Sequence, residues 1–296
     1  MKNPIESFQR NPDSNGSGGI DQIHQDNPLL KVQLSGNLTD ETLREIETLG
    51  INESKTQDAI LKKWAEQIRE ETKKVITSNS LENERRIEIQ KKLENLKETA
   101  EKMLTQLFSD VMNHDGNWFK GNWEQSLRRG YFDSETKEWI IANKEEFLQK
   151  NKGKTVDTWL ETQFDEYGSM AFDLYIHSQI ERGADWGWIK NGDNSIKNNQ
   201  RKVTHSMRGN GIAQFMEDIT EKAAKETGIK KITFSTTATK DGLTFPLTQG
   251  YTCVSLEDRN EAIRRLKKIY DEKNNENVRA SDFSANRVLL EKKISD

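Results

Sequence analysis

The sequence is nearly devoid of cysteine. Cys253 is the one thiol in 296 residues, which excludes an internal disulfide framework and any zinc cluster of the Cys-x-x-Cys kind, and no metal site is expected. A lone thiol fits a reducing compartment. No run of about 18 apolar residues occurs, so no membrane-spanning helix is expected. The first stretch, MKNPIESFQRNPDSNGSGG, lacks the apolar core of a secretory signal. The expected location is the cytoplasm, or a host cytoplasm reached by a route that needs no such signal. No segment is strongly basic: Lys and Arg are mixed among Asp and Glu, and the formal net charge is -4. Nucleic acid and membrane are therefore not the expected partners. Two phosphate-binding signatures are also missing. Neither a P-loop closing on Gly-Lys-Ser/Thr nor G-x-G-x-x-G with an acid about 20 residues later occurs.

What is present is polar and unevenly distributed. Hydrophobic and charged residues each make up 32%, so part of the chain should be solvated helix or a tail without a core. Residues 1–37 are rich in Asn, Asp, Ser, Gly and Gln and are expected to form a flexible tail. Residues 38–112 read as helices. Thr39 and Asp40 offer N-cap oxygens, and Ser54 to Gln57 reads as a capping box. Leu61, Trp64, Ile68 and Val75 then share a stripe. After the break at Thr77 to Ser80, the residues Ile89, Leu93, Leu96, Ala100, Met103 and Leu107 recur at intervals of 4, 3, 4, 3 and 4, a heptad seam. Two such helices joined by a polar turn predict an antiparallel hairpin, with self-association between chains as the other way to close the seam.

From 113 to 168 the chain is turn-rich and aromatic, with Trp118, Trp123, Trp139 and Trp159. SETKEWIIANKEEFLQK and TVDTWLETQFDEY read as amphipathic helices, their tryptophans as core anchors. From Ala171 the period shifts toward two. FDLYIHSQIE alternates, although Phe172, Ile176 and Gln179 also share a helical face. DWGWIK, RKVTHSM, KITFSTTA, YTCVSL and NRVLLEKKI are strand-compatible. Helices are expected at 211–226 and 259–272. The order strand–helix–strand predicts an α/β (α+β) domain over 113–296 built on a mixed sheet, best supported over 168–296.

Between two of these elements lies Arg208-Gly209-Asn210-Gly211-Ile212-Ala213. The first amides of a helix have no intrahelical acceptor and lie at the positive end of its dipole. Glycines let an anion approach the backbone, and an arginine adds charge and a forked donor. The turn therefore suits a pyrophosphate.

The pattern R-x-x-G-x-A after a strand, followed by a helix and KITFSTTA, resembles the Gcn5-related N-acetyltransferase family. FPLTQGYTCVS is similar to that family's later segment, a short helix ending in glycine and an aromatic, and VLLEKKI to its last strand. The resemblance implies a mixed, mostly antiparallel sheet of the acyl-CoA N-acyltransferase type. It implies acetyl-CoA as co-substrate, its phosphates held by Met207, Arg208, Gly209, Asn210, Gly211, Ile212 and Ala213. Its pantetheine arm would pair with backbone near 205–207. The acceptor would be an amine, on a protein or a small molecule, and the helical region would recruit it. The candidate bases are Glu181, His177 and His205. Departures are visible. Pro246 stands where the family often has a tyrosine, the first strands are hard to find, and 259–272 looks like an insertion. These leave open a second reading, a non-catalytic helical interaction or effector protein with a degenerate acetyltransferase-like domain.

Overall fold

The computed structural model describes residues 54–76, 80–133, 136, 138–141, 158–176, 182–192, 194–204, 207–236, 240–271 and 287–295. The tail expected over 1–37 and the helix start at Thr39-Asp40 lie outside them.

Two long helices come first: α1 (Ser54–Ile76) and α2 (Ser80–Met112). They start where the capping box and the polar break predict. A short helix α3 (Gly116–Asn122) follows, capped by Asp115, whose carboxylate accepts the amides of Asn117 and Trp118. Six strands come next: β1 (Arg128–Asp133), β2 (Glu138–Ile141), β3 (Thr158–Phe164), β4 (Met170–Ile176), β5 (Arg182–Lys190) and β6 (Ser195–Val203). The chain continues through α4 (Ile212–Glu226), β7 (Lys231–Ser235), α5 (Lys240–Thr248), β8 (Thr252–Cys253), α6 (Leu256–Asp271) and β9 (Leu289–Lys293).

All nine described strands form one sheet in the order β2-β1-β3-β4-β5-β6-β7-β9-β8. Every pair is antiparallel except β6 and β7, which run parallel and are joined by the crossover helix α4. The expected mixed, mostly antiparallel α/β architecture is present. So is the predicted order from 195 onward: strand, glycine turn, helix, strand, short helix, strand, extra helix, last strand.

Three expectations are corrected. TVDTWLETQFDEY contributes strand β3, not a helix. Thr158, Leu160, Thr162 and Phe164 are buried and alternate with Glu161 and Gln163. A period of two with Thr and aromatic residues suits a pleated surface, and pairing with β1 and β4 overrides the helical reading of the same tryptophan. Likewise EWII of the second expected helix is strand β2. The ambiguous run from 172 is strand β4 as far as Ile176.

The third correction concerns the heptad seam. Its residues Ile89, Leu93, Leu96, Ala100 and Leu107 are buried, but not in a hairpin with α1. α2 packs on α4 and on β1, β3 and β4, whereas α1 packs on α5 and α6. Both helices share one apolar core with the sheet. Phe108 meets Trp188 of β5 edge to face, with centroids 5.3 Å apart. On the other side, Asp58 of α1 takes a forked pair of bonds, each 3.1 Å, from Arg259 of α6. A sheet face offers a wider apolar surface than one helix stripe, so the seam closes on the sheet.

Replacing Leu96, fully buried within this seam, by alanine should cost about 2–5 kcal/mol of stability. A mutant that unfolds at the wild-type urea midpoint would show that α2 is not part of the core.

Candidate functional site

β6 pairs with β7 from Ser195↔Lys231 to Asn198↔Phe234 and no further. At the same point its register with β5 shifts: Gly187 faces Gln200 and Trp188 faces Asn198, leaving Asn199 bulged. A bulge bends a strand and adds twist. Residues 199–203 thus stay on β5 but leave β7. A wedge opens between the carboxyl ends of two parallel strands, the position at which open α/β sheets take ligands.

The chain leaves β6 at Val203, not at Met207 as the sequence suggested. Met207 instead closes a tight turn, its amide bonding Thr204 O at 2.9 Å. The turn then runs through Gly209 and Gly211 at φ +82° and +87°, a region where a Cβ is strained. Asn210 is buried and ties the turn together, its amide donating to Met207 O at 3.1 Å and Arg208 O at 3.4 Å. Gly211 is the N-cap of α4 and supplies no side-chain cap. Phe215 N makes the first ladder bond, to Gly211 O at 2.9 Å. The amides before it are available at the positive end of the helix. Arg208 is exposed beside them, while Met207 and Ile212 are buried anchors and Ala213 packs on the core. The seven residues expected to bind phosphate are therefore contiguous at the mouth of the wedge.

Two neighbours were not foreseen. Arg85 of α2 approaches Met207, Nη2 to Sδ 3.7 Å. Gln90 of α2 lies about a van der Waals contact from Gly211, where a Cβ would meet its Nε2 at 3.7 Å. Only the packing of α2 on α4 brings them there. In sequence they are ordinary polar positions of a heptad pattern.

The candidate bases His177, Glu181 and His205 lie outside the described residues. Their chain neighbours Ile176, Arg182 and Thr204 are described. Tyr175 pairs with Arg182, and Thr204 N bonds Gly183 O at 3.0 Å. All three neighbours thus sit at one end of the sheet, where β6 leaves β7.

Below α4 lies a buried polar cluster absent from the sequence reading. Arg201 Nη2 donates to Glu217 Oε2 at 2.9 Å and to Tyr251 Oη at 2.5 Å. Lys292 donates to Glu221 at 2.6 Å and Glu217 at 3.4 Å. The Arg201 guanidinium lies within 5 Å of the rings of Trp186, Phe234 and Tyr251. Burial pushes the Tyr251 phenol far above its usual range; Arg201 pulls it back and Glu217 adds to the rise. Tyr251 follows Gly250, and its ring is buried. Its hydroxyl is nonetheless bonded. Among the described residues no three His, Cys, Asp or Glu side chains come together as a metal would require, and no helix is long and apolar enough to cross a membrane.

No family model matches the sequence, and no curated protein does. Solved structures superpose on part of the chain. An IAA acetyltransferase from Bacillus cereus ATCC 14579 is 10% identical and covers 42% of this chain and 77% of its own, with a TM-score of 0.32. A nourseothricin acetyltransferase is 14% identical and covers 57% and 85%, also at 0.32. A Bacillus subtilis acetyltransferase solved in complex with CoA is 13% identical and covers 43% and 78%, at 0.25. The element order from β6 to β9, with its one parallel pair and the glycine turn opening the crossover helix, carries the assignment of the fold. It is a mixed, mostly antiparallel sheet with a crossover helix between its one parallel pair.

The buried phenol gives a pH test. Its folded pKa is raised, so the unfolded chain loses the proton first, near the ordinary value of 10.0. Its contribution to stability is intact below that pH and declines as pH rises through it, by at most about 1.4 kcal/mol per unit. Urea unfolding between pH 9 and 11 should fall more steeply in the wild type than in Tyr251→Phe. Parallel slopes would show that the phenol ionises as readily in the folded protein.

Proposed function

We propose that the protein is an acyl-CoA-dependent N-acyltransferase. The observation that carries this is the joining of two features at one place. A glycine turn with available helix-start amides and an exposed arginine stands at the open end of two parallel strands that part at a bulge. The turn fits a pyrophosphate, and the wedge fits the extended arm that follows it. The amides of 209–213, with Arg208, would hold the phosphates. Backbone of 199–203 that has left β7 would bond the pantetheine amides, and an N–H there would polarise the thioester carbonyl.

The reaction is a direct transfer. The acceptor ammonium gives one proton to a base, and the free amine forms a C–N bond to the thioester carbon. The C–S bond breaks, and the CoA sulfur leaves and takes a proton, giving an amide and free CoA. His177, Glu181 and His205 are the candidate bases, favoured by chain neighbours that lie at the wedge end of the sheet. Acetyl is the simplest acyl group for this chemistry. The acceptor is a primary amine, on a protein or a small molecule.

Thermal unfolding with CoA tests this. A ligand at about 100 times its Kd adds roughly 2.7 kcal/mol to the folded state, which for a chain of this size is a Tm rise on the order of several degrees. The rise should vanish in Arg208→Glu, by repulsion, and in Gly211→Asp, which places a charge and a Cβ in a left-handed position. No rise with saturating CoA in the wild type would overturn the reading.

A further inference from the structure

Among the described residues, two buried donors beside the wedge have no acceptor. The Arg201 side chain is 8% exposed, and its Nη2 is used by Glu217 and Tyr251, but its Nη1 has no partner. Trp186, directly opposite Arg201 on β5, is 1% exposed, and its indole N–H also has no partner. The two side chains touch, with Cζ 4.7 Å from the ring centroid. Neighbouring Trp188 shows the ordinary outcome. The Asn198 amide, turned so that its oxygen faces that indole, accepts its N–H at 3.0 Å. A buried donor left unbonded is costly, so two side by side call for an acceptor.

Their position identifies where the acceptor comes from. Arg201 lies three residues beyond the last β6–β7 pair, and its guanidinium reaches across to Phe234 on the other lip, 4.5 Å from the ring. Arg201 therefore borders the wedge past the point where the strands part, with Trp186 of β5 packed against it. The ion pairs around it are complete: Arg201 meets Glu217 at 2.9 Å, and Lys292 meets Glu221 at 2.6 Å and Glu217 at 3.4 Å. What is left over is a pair of adjacent donors, Arg201 Nη1 and the Trp186 indole N–H. A carbonyl offers them one oxygen, whereas a carboxylate offers two and suits the arginine fork.

We propose that Arg201 and Trp186 form the far end of the acyl pocket, and that the acyl group transferred ends in a carboxylate, as in a dicarboxylic acid held through one thioester. Phe234, Tyr251 and the face of Trp186 wall the chain between the two ends. This rests on the reading of the wedge as a thioester site and replaces acetyl with a longer, anionic acyl group.

The test is calorimetric titration of the full chain with free CoA, acetyl-CoA and succinyl-CoA at fixed ionic strength. Succinyl-CoA should bind about tenfold or more tightly than acetyl-CoA. Trp186→Phe, which keeps an aromatic ring and loses the N–H with the pyrrole half of the indole, and Arg201→Lys should each bring that ratio toward one. Circular dichroism checks that the variants fold, and Trp186→Phe decides the matter alone if Arg201→Lys does not. Equal binding of the two thioesters by a wild type that binds CoA overturns this inference and leaves the transferase reading standing. A preference unchanged in Trp186→Phe also overturns it, since the carboxylate is then read elsewhere. No binding of free CoA removes the transferase reading and this inference with it.

Discussion

The parting of β6 from β7 after Asn198↔Phe234 is the constraint on which the rest of the molecule turns. Parallel strands need a crossover, and here the crossover is α4, which must begin beyond the free end of β6. A bulge at Asn199 opens that end. The turn at 207–211 is therefore delivered to the mouth of the opening by connectivity alone. Had the two strands stayed paired to Val203, the glycine turn would border a closed sheet. A phosphate bound there would have no channel for the chain that follows it.

Packing supports the opening from outside. α2 lies across α4 and the strands β1, β3 and β4, and its seam residues other than Met103 are buried. It fixes the axis of α4 and hence the direction of the free amides. α1 reaches the opposite lip through α5 and α6, held by the forked Asp58–Arg259 bridge beside Cys253. The N-terminal helices thus share one apolar core with the sheet, in which Leu93 and Leu96 are buried and Met103 is partly buried.

The polar cluster below α4 ties β6 and β9 to that helix. Removing Glu217 would leave Arg201 buried without a carboxylate, which typically costs about 3–5 kcal/mol. Removing Arg201 would leave Glu217 to Lys292. The arginine thus depends on the carboxylate more than the carboxylate depends on it.

The sequence by itself determined the elements whose pattern is local. The capping box at Ser54, the polar break before Ser80, the apolar face of α4 and the β-branched run of β7 need no partner to be recognised. The glycine turn at 208–211 was legible for the same reason, because its glycines and arginine are contiguous. Tertiary structure decided whatever depends on pairing. TVDTWLETQF has a helical face and a pleated one, and only β1 and β4 on either side select the pleat. The heptad seam states that α2 is buried along one stripe but not against what. Arg201, Trp186, Glu217 and Tyr251 are separated by up to 65 positions in the chain, and their assembly follows from a bulge that no residue type announces. Local conformational preference is encoded residue by residue. The meeting of distant charges is set by strand register, which emerges only when the whole sheet closes its core.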